Sequence, residues 1–126
     1  MEKRYYQPEI ETMPVEELKA LQSERLVKQV KHVWDNVPYY RKKMEEKGVT
    51  PDDIKGIEDL HKLPFLTKDD LRDAYPYGLL GKPLEDCVRI QSTSGTTGRR
   101  VVAFYTQHDI DLWEDCCARA ITAVGG

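Results

Sequence analysis

Val88-Arg89-Ile90-Gln91-Ser92-Thr93-Ser94-Gly95-Thr96-Thr97-Gly98-Arg99-Arg100-Val101-Val102-Ala103-Phe104-Tyr105 is the stretch on which the architecture turns. Its first five residues alternate apolar and polar, the period of a half-buried strand. Its last five, β-branched and aromatic, predict a second strand covered on both faces. Between them, Ser92–Arg100 packs five hydroxyl residues, two glycines and two arginines into nine positions. Glycine opens positive φ and lets backbone amides approach an anion, and hydroxyls add donors. Arginine supplies the charge-assisted contacts that phosphate oxygens favour. The residues compose a flexible polyphosphate cradle; an exposed hairpin loop of ordinary Ser, Thr and Gly content is the other reading they allow. A Walker A loop is excluded. It needs four residues between its glycines, then Lys and a helix, whereas here Thr96 and Thr97 alone separate Gly95 from Gly98 and a strand follows.

Downstream, Thr106-Gln107-His108-Asp109 forms a capping box. Ile110, Trp113, Cys117, Ala120, Ile121 and Val124 then recur at helical spacing up to Gly125-Gly126. Upstream, a helix is expected from near Pro14, with Leu26, Val30, Val33, Trp34 and Val37 on one face. Pro38 ends it or opens a second, Tyr39–Lys47, stopped by Gly48. Residues 50–81 carry capping boxes at Thr50-Pro51-Asp52-Asp53 and Thr67-Lys68-Asp69-Asp70, with prolines and glycines that keep each turn brief. This middle reads as a wrapping segment rather than a rigid core. Trp34 and Trp113 are expected in the core, Cys116 and Cys117 are expected to divide between core and flank, and Tyr39 and Tyr40 to pack the helices on the body. Two strands do not form an independently stable sheet. The pattern is therefore that of the opening units of a larger α/β layer structure, and the chain is expected to be the N-terminal part of a longer protein.

Composition narrows the function. The 126 residues suit one domain, 40% apolar and 33% charged. Residues 1–63 hold twelve basic and thirteen acidic side chains, residues 64–126 seven and nine, so neither half is a basic footprint for nucleic acid. Arg41-Lys42-Lys43, followed at helical spacing by Glu45 and Glu46, reads as a solvated helix face. The longest apolar run, Val101–Tyr105, falls far short of the ~20 residues of a membrane span. The first residues lack the apolar core of a secretory signal. Three cysteines without metal-ligand spacing fit a reducing cytoplasm and no metal site. His32, His61 and His108, far apart in sequence, are read as surface or capping residues.

Ser92-Thr93-Ser94-Gly95-Thr96-Thr97-Gly98 resembles the phosphate-binding signature of adenylate-forming enzymes, the acyl-CoA synthetase superfamily. Val37-Pro38-Tyr39-Tyr40-Arg41, Leu63–Arg72 and Tyr75-Pro76-Tyr77-Gly78 upstream, with Tyr105-Thr106 and Asp109–Trp113 downstream, are similar to the phenylacetate–CoA ligase branch. The resemblance implies an α/β enzyme, α+β within this chain. Residues 1–86 would be a helical segment wrapping the main domain, and 87–126 the start of the AMP-binding domain, with the phosphate loop at 92–100. It implies activation of an aryl-acetic acid with ATP, Mg2+ and coenzyme A through an acyl-adenylate. Thr93, Ser94, Thr96 and Thr97 would donate hydroxyls, Gly95 and Gly98 would give conformational freedom, and Arg99 would pair with phosphate. The branch commonly has Lys-Pro where this chain has Arg99-Arg100, and the wider superfamily often has a lysine at the position of Val101. No catalytic residue and no metal ligand is expected within the chain, because adenine contacts, aryl pocket and the adenylation lysine would lie beyond Gly126. The complete protein would be a cytoplasmic homodimer. A related synthetase with another acceptor, or a non-catalytic binding or dimerisation module, are the other assignments.

Overall fold

The computed structural model describes residues 4–95, 98 and 100–125. A short helix that the sequence reading did not assign, α1 (Pro8–Glu11), opens on Pro8 with Glu9 and Glu11 in its first turn and precedes the long α2 (Val15–Asn36) and α3 (Pro38–Glu46). Val37 serves both long helices. Its N–H donates to the Val33 carbonyl (2.8 Å), and its own carbonyl accepts from Tyr40 and Arg41. Pro38, lacking an N–H and fixed near helical φ, stops α2 and starts α3. Gly48 ends α3 at φ +70°, letting Val49 N–H reach the Met44 carbonyl (2.9 Å) and turn Val49 inward.

The core lies under these helices. Val30, Met44, Val49 and Ile54 are buried together, with Leu26, Trp34, Tyr40 and Leu63 packed against them. Residues 50–81 are thus not merely a wrapper, because Ile54 (1% exposed) and Leu63 belong to the core. The cause is local: the Asp53 carboxylate takes hydrogen bonds from the Thr50 amide and hydroxyl, and the tight turn Pro51–Asp53 points Ile54 down. A second tight turn, Ile57–Lys62, leads to α4 (Lys68–Asp73), which Thr67 and Asp70 cap reciprocally as expected.

Asp70 does more than cap. Its carboxylate pairs with Lys43 of α3 at 2.6 Å and accepts the Tyr39 hydroxyl at 2.9 Å. Tyr40 donates to the Pro64 carbonyl, so both tyrosines fasten α3 to the middle segment. Of the basic run, Arg41 and Lys42 do meet Glu45 and Glu46 on a solvated face, whereas Lys43 turns away to this half-buried cluster. Lys43 foremost, and then Thr67, hold Asp70 well below the usual carboxylate range, while Asp70 raises Lys43. A carboxylate depressed on folding gives stability that is complete above its unfolded pKa, about 4, and lost as pH falls through the folded value. The melting-temperature gap between the native chain and Asp70→Asn is expected to be widest near neutrality and to shrink below about pH 4. A gap constant from pH 7 to pH 3 would show that the ion pair does not contribute.

A short turn at Leu84–Asp86 leads into β1 (Cys87–Ser92), which pairs antiparallel with β2 (Val102–Thr106). α5 (Gln107–Ala123) follows directly, its start fixed by the expected Thr106–Asp109 box. Ile90 faces Phe104 and Ser92 faces Val102 on one side of the ribbon; Arg89 faces Tyr105 on the other. Each side carries one aromatic tie, Tyr77–Phe104 at 5.6 Å and Tyr105–Trp113 at 5.7 Å between ring centroids.

Burial here departs from expectation. β1 is exposed beyond Cys87 rather than half-buried, and β2 is half-buried rather than covered on both faces. Trp113 is 43% exposed, and Cys116 and Cys117 are both exposed. Among the described residues only Ile110 of α5 is buried. The helix has the apolar face its spacing demands, but a two-stranded ribbon is too narrow to cover it. The fold class read from the sequence is borne out: helices, then an antiparallel hairpin, then an amphipathic helix. Among the described residues no helix is long and apolar enough to cross a membrane.

Candidate phosphate-binding hairpin

The hairpin closes just outside the strands. Thr93 N–H donates to the Val101 carbonyl (3.0 Å), and Val101 N–H donates back to Thr93 Oγ1 (3.2 Å). Thr93 Oγ1 thus accepts one bond from the loop, and its hydroxyl proton has no partner among the described residues. Ser94 stands exposed beside it. Gly95 at φ +68° and Gly98 at φ +136° occupy backbone conformations that side chains disfavour, and the Gly98 N–H closes a turn on the Gly95 carbonyl (3.3 Å). Glycine at 95 is needed twice over, because a Cβ there would stand 2.7 Å from Arg100 Cγ. The remaining candidates, Thr96, Thr97 and Arg99, lie outside the described residues.

Beside the loop lies an open groove of about 290 Å³, walled by Tyr75, Tyr77, Ile90, Val102 and Phe104, with Ser92 and Arg100 at its polar end. The Tyr75-Pro76-Tyr77 turn carries part of the family resemblance and a break in the helix pattern, but nothing in its spacing says which surface it will meet. A second open cavity, about 430 Å³, lies across the ribbon between Tyr105, Leu112, Trp113 and Cys116. Asp109 borders it, but its carboxylate is committed to the Thr106 amide and hydroxyl, which hold it below the usual range.

Among the described residues no three His, Cys, Asp or Glu side chains gather as metal ligands. Among the described residues the hairpin presents the hydroxyls of Ser92, Thr93 and Ser94 and the guanidinium of Arg100, donors of the kind an anion takes. His61 caps a turn through the Glu58 carbonyl and His32 touches Asn36.

No family model matches the chain. The phenylacetate–coenzyme A ligase of Thermus thermophilus is 47% identical over 120 residues, 95% of this chain and 27% of that enzyme. The phenylacetate–coenzyme A ligase of Escherichia coli K12 is 50% identical over 117 residues, 93% of this chain and again 27% of the enzyme. Among solved structures, a 2-hydroxyisobutyryl-CoA ligase in complex with 2-HIB-AMP and CoA superimposes with a TM-score of 0.83 at 32% identity, covering 93% of this chain and 26% of that one. The chain thus spans about a quarter of the length of the relatives it matches. Across nearly all of its residues this chain is similar in sequence to about a quarter of a phenylacetate–coenzyme A ligase, and in fold to about a quarter of a 2-hydroxyisobutyryl-CoA ligase.

Proposed function

We propose that the chain is the N-terminal, phosphate-gripping part of an ATP-dependent ligase that joins an aryl-acetic acid, phenylacetate above all, to coenzyme A. Residues 1–86 form its helical wrapping segment and 87–126 open its AMP-binding domain. The acid's carboxylate oxygen attacks the α-phosphorus of ATP, and the bond to the β-phosphate oxygen breaks to release pyrophosphate. The coenzyme A thiol, giving up its proton, then attacks the acyl carbon and displaces AMP. Within this sequence the hairpin holds the β- and γ-phosphates so that the leaving group lies in line with the attack. Thr93, Ser94, Thr96 and Thr97 donate hydroxyls, Gly95 and Gly98 give the turn its conformational freedom, and Arg99 pairs with phosphate charge. Magnesium enters with ATP as part of the substrate. The complete enzyme works in the cytoplasm as a homodimer.

The observation that carries this reading is the half-identity to phenylacetate–coenzyme A ligases along more than nine-tenths of the chain. The likeness to a 2-hydroxyisobutyryl-CoA ligase favours a second choice of acid on the same scaffold. Both are tested with the complete polypeptide carrying this segment, by measuring acid-dependent exchange of pyrophosphate into ATP across aryl and hydroxylated aliphatic acids. Phenylacetate is expected to give the highest kcat/KM; preference for a hydroxy acid would move the assignment to the second reading, and no exchange with any acid would end both. The 126 residues alone are expected to form no acyl-CoA, since they hold the grip without the rest of the site. AMP release by them, dependent on phenylacetate and coenzyme A, would contradict this.

A further inference from the structure

Arg100 occupies a place that the ladder of the hairpin does not require. By strand alternation it shares a face of the ribbon with Val102 and Phe104, and thus with Ser92 and Ile90 across from them. Its Cγ lies 2.7 Å and its Nε 3.6 Å from where a Cβ on Gly95 would stand. The aliphatic stem therefore crosses the bare face of Gly95, and the residue goes on to line the polar end of the groove beneath Tyr75 and Tyr77. The side chain is exposed, and among the described residues no carboxylate lies within ion-pair distance of it. A guanidinium with no ion-pair partner among the described residues thus stands beside a turn built on two positive-φ glycines. Arginine's planar fork matches phosphate oxygens, and its stem braced on a neighbour has less freedom to lose on binding.

We propose that Arg100 is a second cation of the phosphate loop, contacting the terminal phosphates of ATP from the Tyr75–Tyr77 side of the hairpin while its stem braces Gly95. The proposal rests on the ligase reading above and adds to it a binding residue outside the loop signature.

The test uses the complete polypeptide with Arg100→Lys, Arg100→Gln and Arg100→Ala. Glutamine keeps a stem to lie across Gly95 and removes the charge; lysine keeps the charge with different geometry. Exchange of pyrophosphate into ATP gives KM for ATP, and inhibition by pyrophosphate and by AMP gives the two halves of the nucleotide separately. Arg100→Gln and Arg100→Ala are expected to raise KM for ATP and the pyrophosphate inhibition constant about tenfold, the loss of one charge-assisted contact. Arg100→Lys is expected to recover most of that, and the AMP constant to stay unchanged in all three. Arg100→Gln matching the unsubstituted enzyme would overturn the proposal, by showing that only the stem matters. AMP and pyrophosphate binding weakening together would overturn it as well, by showing a general collapse of the site. No exchange by the unsubstituted protein would remove the ligase reading, and this role with it.

Discussion

Truncating Met44 to alanine is expected to destabilise the fold by about 2–5 kcal/mol, the usual cost of emptying a filled core position. Met44 has no exposed surface and touches the cluster of Val30, Val49 and Ile54. Its neighbours come from α2, from the turn after Gly48 and from the Pro51–Asp53 turn, so no single element can move in to fill the space. Ile54→Ala is expected to cost a similar amount, and Met44→Leu, which conserves volume, less than about 1.5 kcal/mol. The two alanine substitutions in one chain should not add, because the side chains share a contact surface. Urea unfolding of the complete polypeptide measures all of this. Costs below about 1 kcal/mol for both alanines would mean that the helices are held by something other than this core.

Loss of donors from the hairpin is expected to strike the chemistry instead of the fold. Ser94→Ala and Arg99→Ala should each lower the rate of pyrophosphate exchange by about 100-fold, the effect of removing one preorganised donor from a developing charge. Ser94 is exposed and makes no hydrogen bond among the described residues, so the melting temperature of Ser94→Ala should hold within a degree or two of the parent. Arg99→Lys is expected to keep part of the activity, since the charge survives while the bidentate fork does not. Unchanged exchange in both alanine variants would remove the loop from the mechanism.

Local signals made most of the architecture legible. The boxes at Thr50, Thr67 and Thr106 each start a turn or helix where their side chains say, because an N-terminal cap is decided within four residues. Pro38 and Gly48 bound α3 for equally local reasons. Contacts between distant segments were not legible. Lys43 and Asp70 are 27 positions apart, and nothing in the helix spacing distinguishes Lys43 from the solvated Arg41 and Lys42 beside it. Burial was misjudged where it depends on what covers a surface. Trp113 and Ile121 stand where a helix face should be apolar, yet periodicity reports only that a face wants covering. The site divides in the same way. Its glycines could be read because positive φ leaves a mark on composition, and both Gly95 and Gly98 adopt it. The position of Arg100 across Gly95 could not, since it follows from the hairpin's register and the closing bonds between Thr93 and Val101.

All of the chemistry assigned here depends on where the triphosphate rests. A crystal structure of the complete polypeptide with a non-hydrolysable ATP analogue and magnesium is the most direct test. The β- and γ-phosphate oxygens are expected within about 3 Å of the amides, hydroxyls and guanidinium groups of residues 93–100. Phosphates bound at any other surface, with the hairpin facing solvent, would contradict the account.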